Sequence, residues 1–325
     1  MITYNHERFI AQAIESVLMQ QTSFPVELVI GEDCSTDGTR EIVKKFVAHY
    51  PDVIRPLLHE KNVGMHRNGD AVTKSCRGEY IACLEGDDYW TSPHKLQKQV
   101  DLLERDPECA LSFHQVLGFD NDTGSEAFRY PPENYRLERT TIQHLFETNY
   151  IMTCSALLRR EWLPVMGDEW KKLSLGDWPM FILIAEKGHI LYLDECMANY
   201  RRHAGGVWSN KTHEDRLRAT APMWMFLSKG LQQERHRARA AQNAASDLLE
   251  LCDVECQRGN IPDARRLYWQ YARYARSSRT VLVHDVLQNG LRLPLFGWPK
   301  TITRVRAGYY RTRKVLGKLF RRNAS

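Results

Sequence analysis

A chain of 325 residues with 43% hydrophobic content exceeds one ordinary domain, so a large globular domain with an appendage is expected. It contains no run of about 18 apolar residues and no leader pattern, which argues against a membrane-spanning helix and favours a soluble, cytoplasmic protein. The net charge of +5 hides a division: from His213 onward 22 basic residues face 9 acidic ones, a net +13, leaving −8 before it, and an acidic body argues against a general nucleic-acid binder.

In chain order, ITYN at 2–5 reads as the end of a strand. A buried strand usually needs about five or six residues, so its beginning is expected upstream of Met1. Helical periodicity follows over Glu7–Gln20, then the apolar strand ELVIGED at 27–33 and a helix over Thr39–His49. VIRPLLHE at 53–60 reads as a strand, His66–Ser75 as a helix, and YIACLEGDD at 80–88 as a strand running into acids. Pro93–Glu104 has Ser92 as its expected N-cap and Pro93 in its first turn. Strands at 109–119 and 190–195 complete a mixed, largely parallel α/β sheet flanked by helices. Residues 1–212 are therefore one domain and 213–325 a helical extension, with two amphipathic helices in 246–276 joined at Gly259–Pro262. The eight cysteines are scattered without C-x-x-C spacing, so reduced thiols are expected rather than structural zinc or a disulfide framework.

Two strand ends carry the chemistry. EDCSTDGT at 32–39 offers carboxylates and hydroxyls in a turn before a helix, a pattern that serves either a polar ligand or simply an Asx turn and cap. CLEGDDYW at 83–90 crowds Glu85, Asp87 and Asp88 within four positions. Their repulsion is relieved by a hard divalent cation, Mn²⁺ or Mg²⁺, or by solvation in a polar loop.

The ordered set TYNHERFIAQAIESVLMQQ, VIGEDCSTDGT, NVGMHRN, GEYIACLEGDDYW with PHKLQKQ, LGDWP and YRRHAGG resembles the family 2 glycosyltransferases over roughly residues 2–208. The resemblance implies a Rossmann-like GT-A fold, a nucleotide-sugar donor, a divalent metal and inversion at the anomeric carbon. It implies nucleotide contacts from Thr3, Tyr4, Asn5, Glu32, Asp33, Asn62, Arg67 and Glu85, with Ser35, Asp37, Gly64 and Asn68 shaping the loops. Asp87 would bind the metal, His203 would complete the metal or diphosphate site, and Asp88 and Trp178 would face the acceptor sugar. Asp177 would be the catalytic base; its Gly176 neighbour departs from the frequent acid, and Asp177 also suits a helix cap. Trp178 equally suits the core and His203 a surface loop.

The implied activity is transfer of a sugar, from a UDP-sugar first of all, to a saccharide or lipid-linked acceptor in cell-surface polysaccharide synthesis. A nucleotidyltransferase would need a glycine-rich basic phosphate loop, which TYNHERF is not. A catalytically inactive GT-A-like scaffold is the non-enzymatic alternative, and the presence of both Asp87 and Asp177 weighs against it. The acid-free segment Arg304–Arg322, basic residues interleaved with Tyr309, Tyr310, Leu316, Leu319 and Phe320, suits either an interfacial helix on anionic lipid at the cytoplasmic membrane face or a basic, partly disordered terminus with no partner.

Overall fold

The computed structural model describes residues 1–165, 167–203, 206 and 211–277, which fall into two compact units, one ending at Lys211 and the other beginning at Thr212. The expectation for Arg304–Arg322 lies outside the described residues.

In the first unit β1 (Ile2–Thr3), α1 (Ile10–Leu18), β2 (Leu28–Glu32), α2 (Thr39–His49), β3 (Ile54–Leu58) and α3 (Met65–Ser75) form a βαβαβα run. β1, β2 and β3 pair in parallel in that order. All five residues of β2 are buried, as a central strand covered on both faces requires. Ile10, Ala13, Ile14 and Val17, spaced to share one face of α1, are buried in the core.

Next come β4 (Tyr80–Ala82), β5 (Tyr89–Trp90), α4 (Lys95–Arg105), β6 (Cys109–Asp120), β7 (Glu126–Tyr130), β8 (Arg139–Thr140), the short α5 (Ile142–Leu145), β9 (Leu157–Arg159), α6 (Asp177–Ala185) and β10 (His189–Arg202). Their sheet runs β4-β9-β6-β10-β5, with β7 beside β6 and β8 beside β10. Within it only β6 and β10 pair in parallel, so the parallel ladders concentrate in the first sheet. Ile2 bridges to Glu85 in parallel, and the Gly86 N–H donates to the Ile2 carbonyl at 3.0 Å, which joins the sheets and sets Thr3, Glu32 and Glu85 along one rim.

Several boundaries differ from expectation: α1 begins at Ile10, not Glu7, β4 ends at Ala82 rather than running to 88, and α8 begins at Glu234 rather than near 246. β10 runs past 195 to Arg202 because β6 continues beside it as far as the Asp120 pairing. α4 begins at Lys95, not Pro93; the Ser92 hydroxyl instead accepts the His94 N–H at 3.3 Å, closing a turn ahead of the helix. A cavity of about 960 Å³ is lined by Leu28, Tyr80, Leu84 and Trp90 and reaches Glu85 and Asp177.

The second unit is helical: α7 (His213–Gly230), α8 (Glu234–Gln257) and α9 (Ile261–Ser277), with α8 packed on both neighbours. Thr212 and Asp215 form a reciprocal capping box at its start. Gly259, at φ +76°, makes the turn between α8 and α9, a conformation that costs glycine least. Among the described residues no helix is long and apolar enough to cross a membrane.

Candidate active site

The donor-side loops are built by short polar contacts. The Asp33 carboxylate, 2% exposed, accepts the Val63 N–H at 2.7 Å and the Gly64 N–H at 2.9 Å, so the turn after β2 fixes the loop before α3. Gly64 sits at φ +84°, and Asn62 Oδ1 accepts the same Gly64 N–H at 3.1 Å. Asn5, itself at φ +56°, accepts from the Thr36 N–H at 2.8 Å while its own N–H donates to the Ser35 hydroxyl at 3.0 Å. Asp37 closes the turn before α2, accepting the Thr39 N–H at 3.0 Å and the Thr39 hydroxyl at 2.6 Å.

Glu32 is fully buried and turned into the fold, where it accepts from Arg40 and from the Ser35 N–H. It braces the turn on which the rim residues stand. Tyr4 and Arg67 are exposed, whereas Thr3 is buried beneath Gly86. A Cβ on Gly86 would come within 2.6 Å of the Thr3 hydroxyl oxygen, so glycine is needed for this close approach. Asn68 is also buried: its amide donates to the Gly31 carbonyl at 2.9 Å and its oxygen meets His59 Nε2 at 3.1 Å.

The acidic turn divides into three environments. Asp87 meets His203 Nε2 at 3.1 Å and lies 3.7 Å from His6 Nε2. Burial alone would raise its pKa, but the His203 hydrogen bond and the His6 charge outweigh burial and hold it below the usual carboxylate range. Asp88 is buried against the Arg201 N–H at 2.9 Å, and burial, then the Asp87 and Glu85 charges, push it well up. Glu85 is raised in the same way, by burial first and then by the charges of Asp87 and Asp177. The Arg201 guanidinium underpins the turn, donating to the Asp87 carbonyl at 2.7 Å and lying over the rings of Phe9, Tyr89 and Phe119.

Asp177 is the first residue of α6, with Gly176 preceding it. Its Oδ2 accepts from Asn149 Nδ2 at 3.1 Å and from the Thr153 hydroxyl at 3.4 Å. Burial raises its pKa, partly offset by the main-chain N–H of Trp178 and by those side chains. Thr153 also works against the rise in the pKa of Glu85 that burial and the neighbouring charges cause. Trp178 Nε1 donates to the Leu145 carbonyl at 2.9 Å, which anchors the ring's polar edge in the fold.

Sequence reasoning therefore assembled Asp87, His203, Glu85 and Asp177 along one region, but missed His6, Arg201, Asn149 and Thr153. His6 and Arg201 stand inside quoted motifs beside Asn5 and His203, where a second signal was available. Asn149 and Thr153 lie in a loop segment with no pattern of its own. Among the described residues no group of three or more His, Cys, Asp or Glu side chains forms a metal cage. Asp87 and His203 supply one carboxylate and one imidazole, a donor set that fits a cation completing its shell with substrate phosphates.

A family model described as glycosyl transferase family 2 matches residues 1–166. A Mycobacterium tuberculosis protein of uncharacterised function is 41% identical over 207 residues, 64% of this chain and 59% of its own length. The match thus spans less than two thirds of that relative. The putative teichuronic acid biosynthesis glycosyltransferase TuaG of Bacillus subtilis is 30% identical over 216 residues, 64% of this chain and 80% of TuaG. In fold, residues 1–349 of S. aureus TarS in complex with UDP-GlcNAc superpose with TM-score 0.62 at 17% identity, covering 88% of this chain and 83% of that one. A Pyrobaculum calidifontis mannosyltransferase in complex with GDP-Man and Mn²⁺ gives TM-score 0.51 at 16% identity, covering 86% and 82%. The fold is GT-A, and with its matching motifs and relatives the chain belongs to glycosyl transferase family 2.

Proposed function

We propose that this protein is an inverting glycosyltransferase that moves a sugar from a nucleoside-diphosphate donor, a UDP-sugar first of all, to a saccharide or lipid-linked acceptor in bacterial cell-surface polysaccharide synthesis. The observation that carries the reading is Asp177: a half-buried carboxylate with a raised pKa, at a helix N-terminus, on the wall of a cavity shared with Glu85. A base poised closer to neutrality than an ordinary aspartate is what proton transfer from a hydroxyl requires. TuaG, assigned by name to teichuronic acid biosynthesis, supports the choice of acceptor class.

In this reading Thr3, Asn5, Asp33 and Asn62 border the nucleoside, with Tyr4 and Arg67 at the exposed rim and Glu32 as the brace below. Asp33 keeps a second lone pair on each oxygen after accepting from Val63 and Gly64, enough to take a base N–H as well. Asp87 and His203 would hold a divalent cation, which when bound neutralises diphosphate charge. Asp177 accepts the proton of the acceptor hydroxyl while that oxygen bonds to the anomeric carbon. The bond from that carbon to the diphosphate oxygen breaks on the opposite face, and the nucleoside diphosphate carries away the electron pair. Asn149 and Thr153 keep one Asp177 oxygen occupied and so orient the other.

Asp177→Asn tests the assignment, since it preserves shape and removes basicity. Donor affinity should stay within a few-fold while kcat falls by on the order of 10² to 10⁴. Loss of donor binding with an unfolded helix terminus would instead make Asp177 a structural cap.

A further inference from the structure

Residues 145–150, where α5 ends and the chain runs on toward β9, hold more than the base. Asn149 Nδ2 donates to Asp177 Oδ2 at 3.1 Å, and the Asn149 carbonyl accepts the Tyr130 hydroxyl. Two residues earlier the Glu147 carboxylate accepts the Tyr135 hydroxyl at 3.1 Å. One residue later the Tyr150 ring stacks on that of Tyr135, with centroids 5.0 Å apart and planes 7° from parallel. At the start of the stretch the Leu145 carbonyl accepts from Trp178 Nε1 at 2.9 Å. Three aromatic side chains are thus tied by their polar edges to one short segment, and that segment also holds Asp177.

Tyr150 belongs to the core: it is fully buried, its hydroxyl meets that of Thr140 at 2.7 Å, and its ring packs edge-on against Phe113. Tyr130 and Tyr135 are only half-buried, and Glu147 is exposed. Because Tyr150 covers one face of Tyr135, the exposure that remains to Tyr135 belongs to its other face and its edge. The turn presenting that ring is closed by its own bonds. The Tyr135 N–H donates to the Pro132 carbonyl at 2.9 Å, the Arg136 N–H to the Glu133 carbonyl at 3.1 Å and Arg136 Nε to the Pro131 carbonyl at 3.1 Å. A fixed aromatic face bordered by a carboxylate suits a pyranose, whose C–H face packs on the ring while its hydroxyls donate to the acid. An acyl chain would lie against that carboxylate and strip its water, which disfavours a lipid as occupant. We propose that Tyr135, backed by Tyr150 and with Tyr130 and Glu147 on the same segment, forms an acceptor subsite on which the sugar ring of a saccharide acceptor stacks beside Asp177. This rests on the reading of Asp177 as the base.

The test uses the full-length protein with UDP and Mn²⁺, so that binding is read without turnover, and the methyl glycosides of glucose, galactose, mannose and N-acetylglucosamine as probes. Saturation-transfer NMR gives the Kd of each glycoside for the wild type, for Tyr135→Phe, which keeps the ring, for Tyr135→Leu, which fills the space without one, and for Asp177→Asn. Isothermal titration of UDP reports whether each variant keeps its donor side. The wild type should bind at least one glycoside, and Tyr135→Leu should weaken it by roughly 3- to 10-fold, the worth of one aromatic stacking contact, with UDP affinity unchanged. Tyr135→Phe and Asp177→Asn should bind it nearly as the wild type does. Equal glycoside affinity in Tyr135→Leu and wild type, an equal loss in Tyr135→Phe, or no glycoside bound by wild-type protein that takes up UDP, overturns the subsite. So does a matching loss of UDP affinity in Tyr135→Leu, which would mark the ring as part of the fold alone. Full transfer activity in Asp177→Asn would instead overturn the base, while the glycoside affinities still decide the role of Tyr135.

Discussion

The two sides of the site are built in different ways. On the donor side, two carboxylates and a side-chain amide close loops between β-strand ends and the helices that follow them: Asp33 to Val63 and Gly64, Asp37 to Thr39, Asn5 to Thr36. On the base side, Asp177 is held by Asn149 and Thr153, 28 and 24 residues away. Local turn chemistry makes the first side stiff and modular, whereas the second depends on two segments distant in sequence arriving together. Damage on the donor side should therefore appear in binding, and damage on the base side in turnover.

The sharpest way to break this division is Asp33→Ala, which strands two backbone donors that Asp33 now satisfies. Donor affinity should fall by on the order of 10- to 10²-fold, matching a loss of roughly 1–3 kcal/mol for unsatisfied groups, with kcat at saturating donor little changed. A collapse of kcat at unchanged affinity would show that the loop at 62–64 serves the base alone. Isothermal titration with UDP and Mn²⁺ beside steady-state kinetics separates the two.

A smaller effect should come from the floor beneath the base side. Lys95 is fully buried, donates to Gln99 Oε1 at 2.7 Å and lies 4.2 Å from the centre of the Trp90 ring; Gln99 in turn donates to the Ser155 carbonyl at 2.9 Å, and Trp90 to the Cys154 carbonyl at 2.9 Å. The turn carrying Thr153 thus rests on this lysine. Burial lowers its pKa from 10.5 to about 7. Between those values the unfolded chain holds the proton and the folded one does not, so stability from this group rises with pH across that window and is flat below it. Lys95→Met should remove the rise, by up to about 1.4 kcal/mol per pH unit. Urea melts of both proteins at pH 7, 8 and 9 measure it; parallel slopes would mean that Lys95 keeps an ordinary pKa.

Much of the donor side was legible in the sequence because its signals are contiguous. Two apolar strands ending in acids, a turn of Ser, Thr, Asp and Gly, and a helical repeat after each dictate strand, cap and helix within a dozen residues. What the pattern left open was the direction of each side chain. Glu32 and Asp33 are adjacent acids, yet one faces Arg40 in the interior and the other the 62–64 loop, a choice made by strand alternation and the position of α2. The start of α4 was misplaced because Ser92 caps a turn rather than the helix itself. The support around Asp177 had no local signature at all: Asn149 and Thr153 acquire meaning only when the segment between α5 and β9 meets α6, a tertiary event that no spacing encodes.

The most direct measurement is release of nucleoside diphosphate from a panel of UDP-, dTDP- and GDP-sugars with Mn²⁺ or Mg²⁺, using the wild-type protein and Asp87→Asn. A nucleotide-sugar glycosyltransferase should release diphosphate from at least one donor in a metal-dependent manner, and Asp87→Asn should lose that release while remaining folded. Folded wild-type protein that releases nothing from any donor, or an Asp87→Asn variant as active as wild type, would contradict the proposed reaction and its metal site respectively.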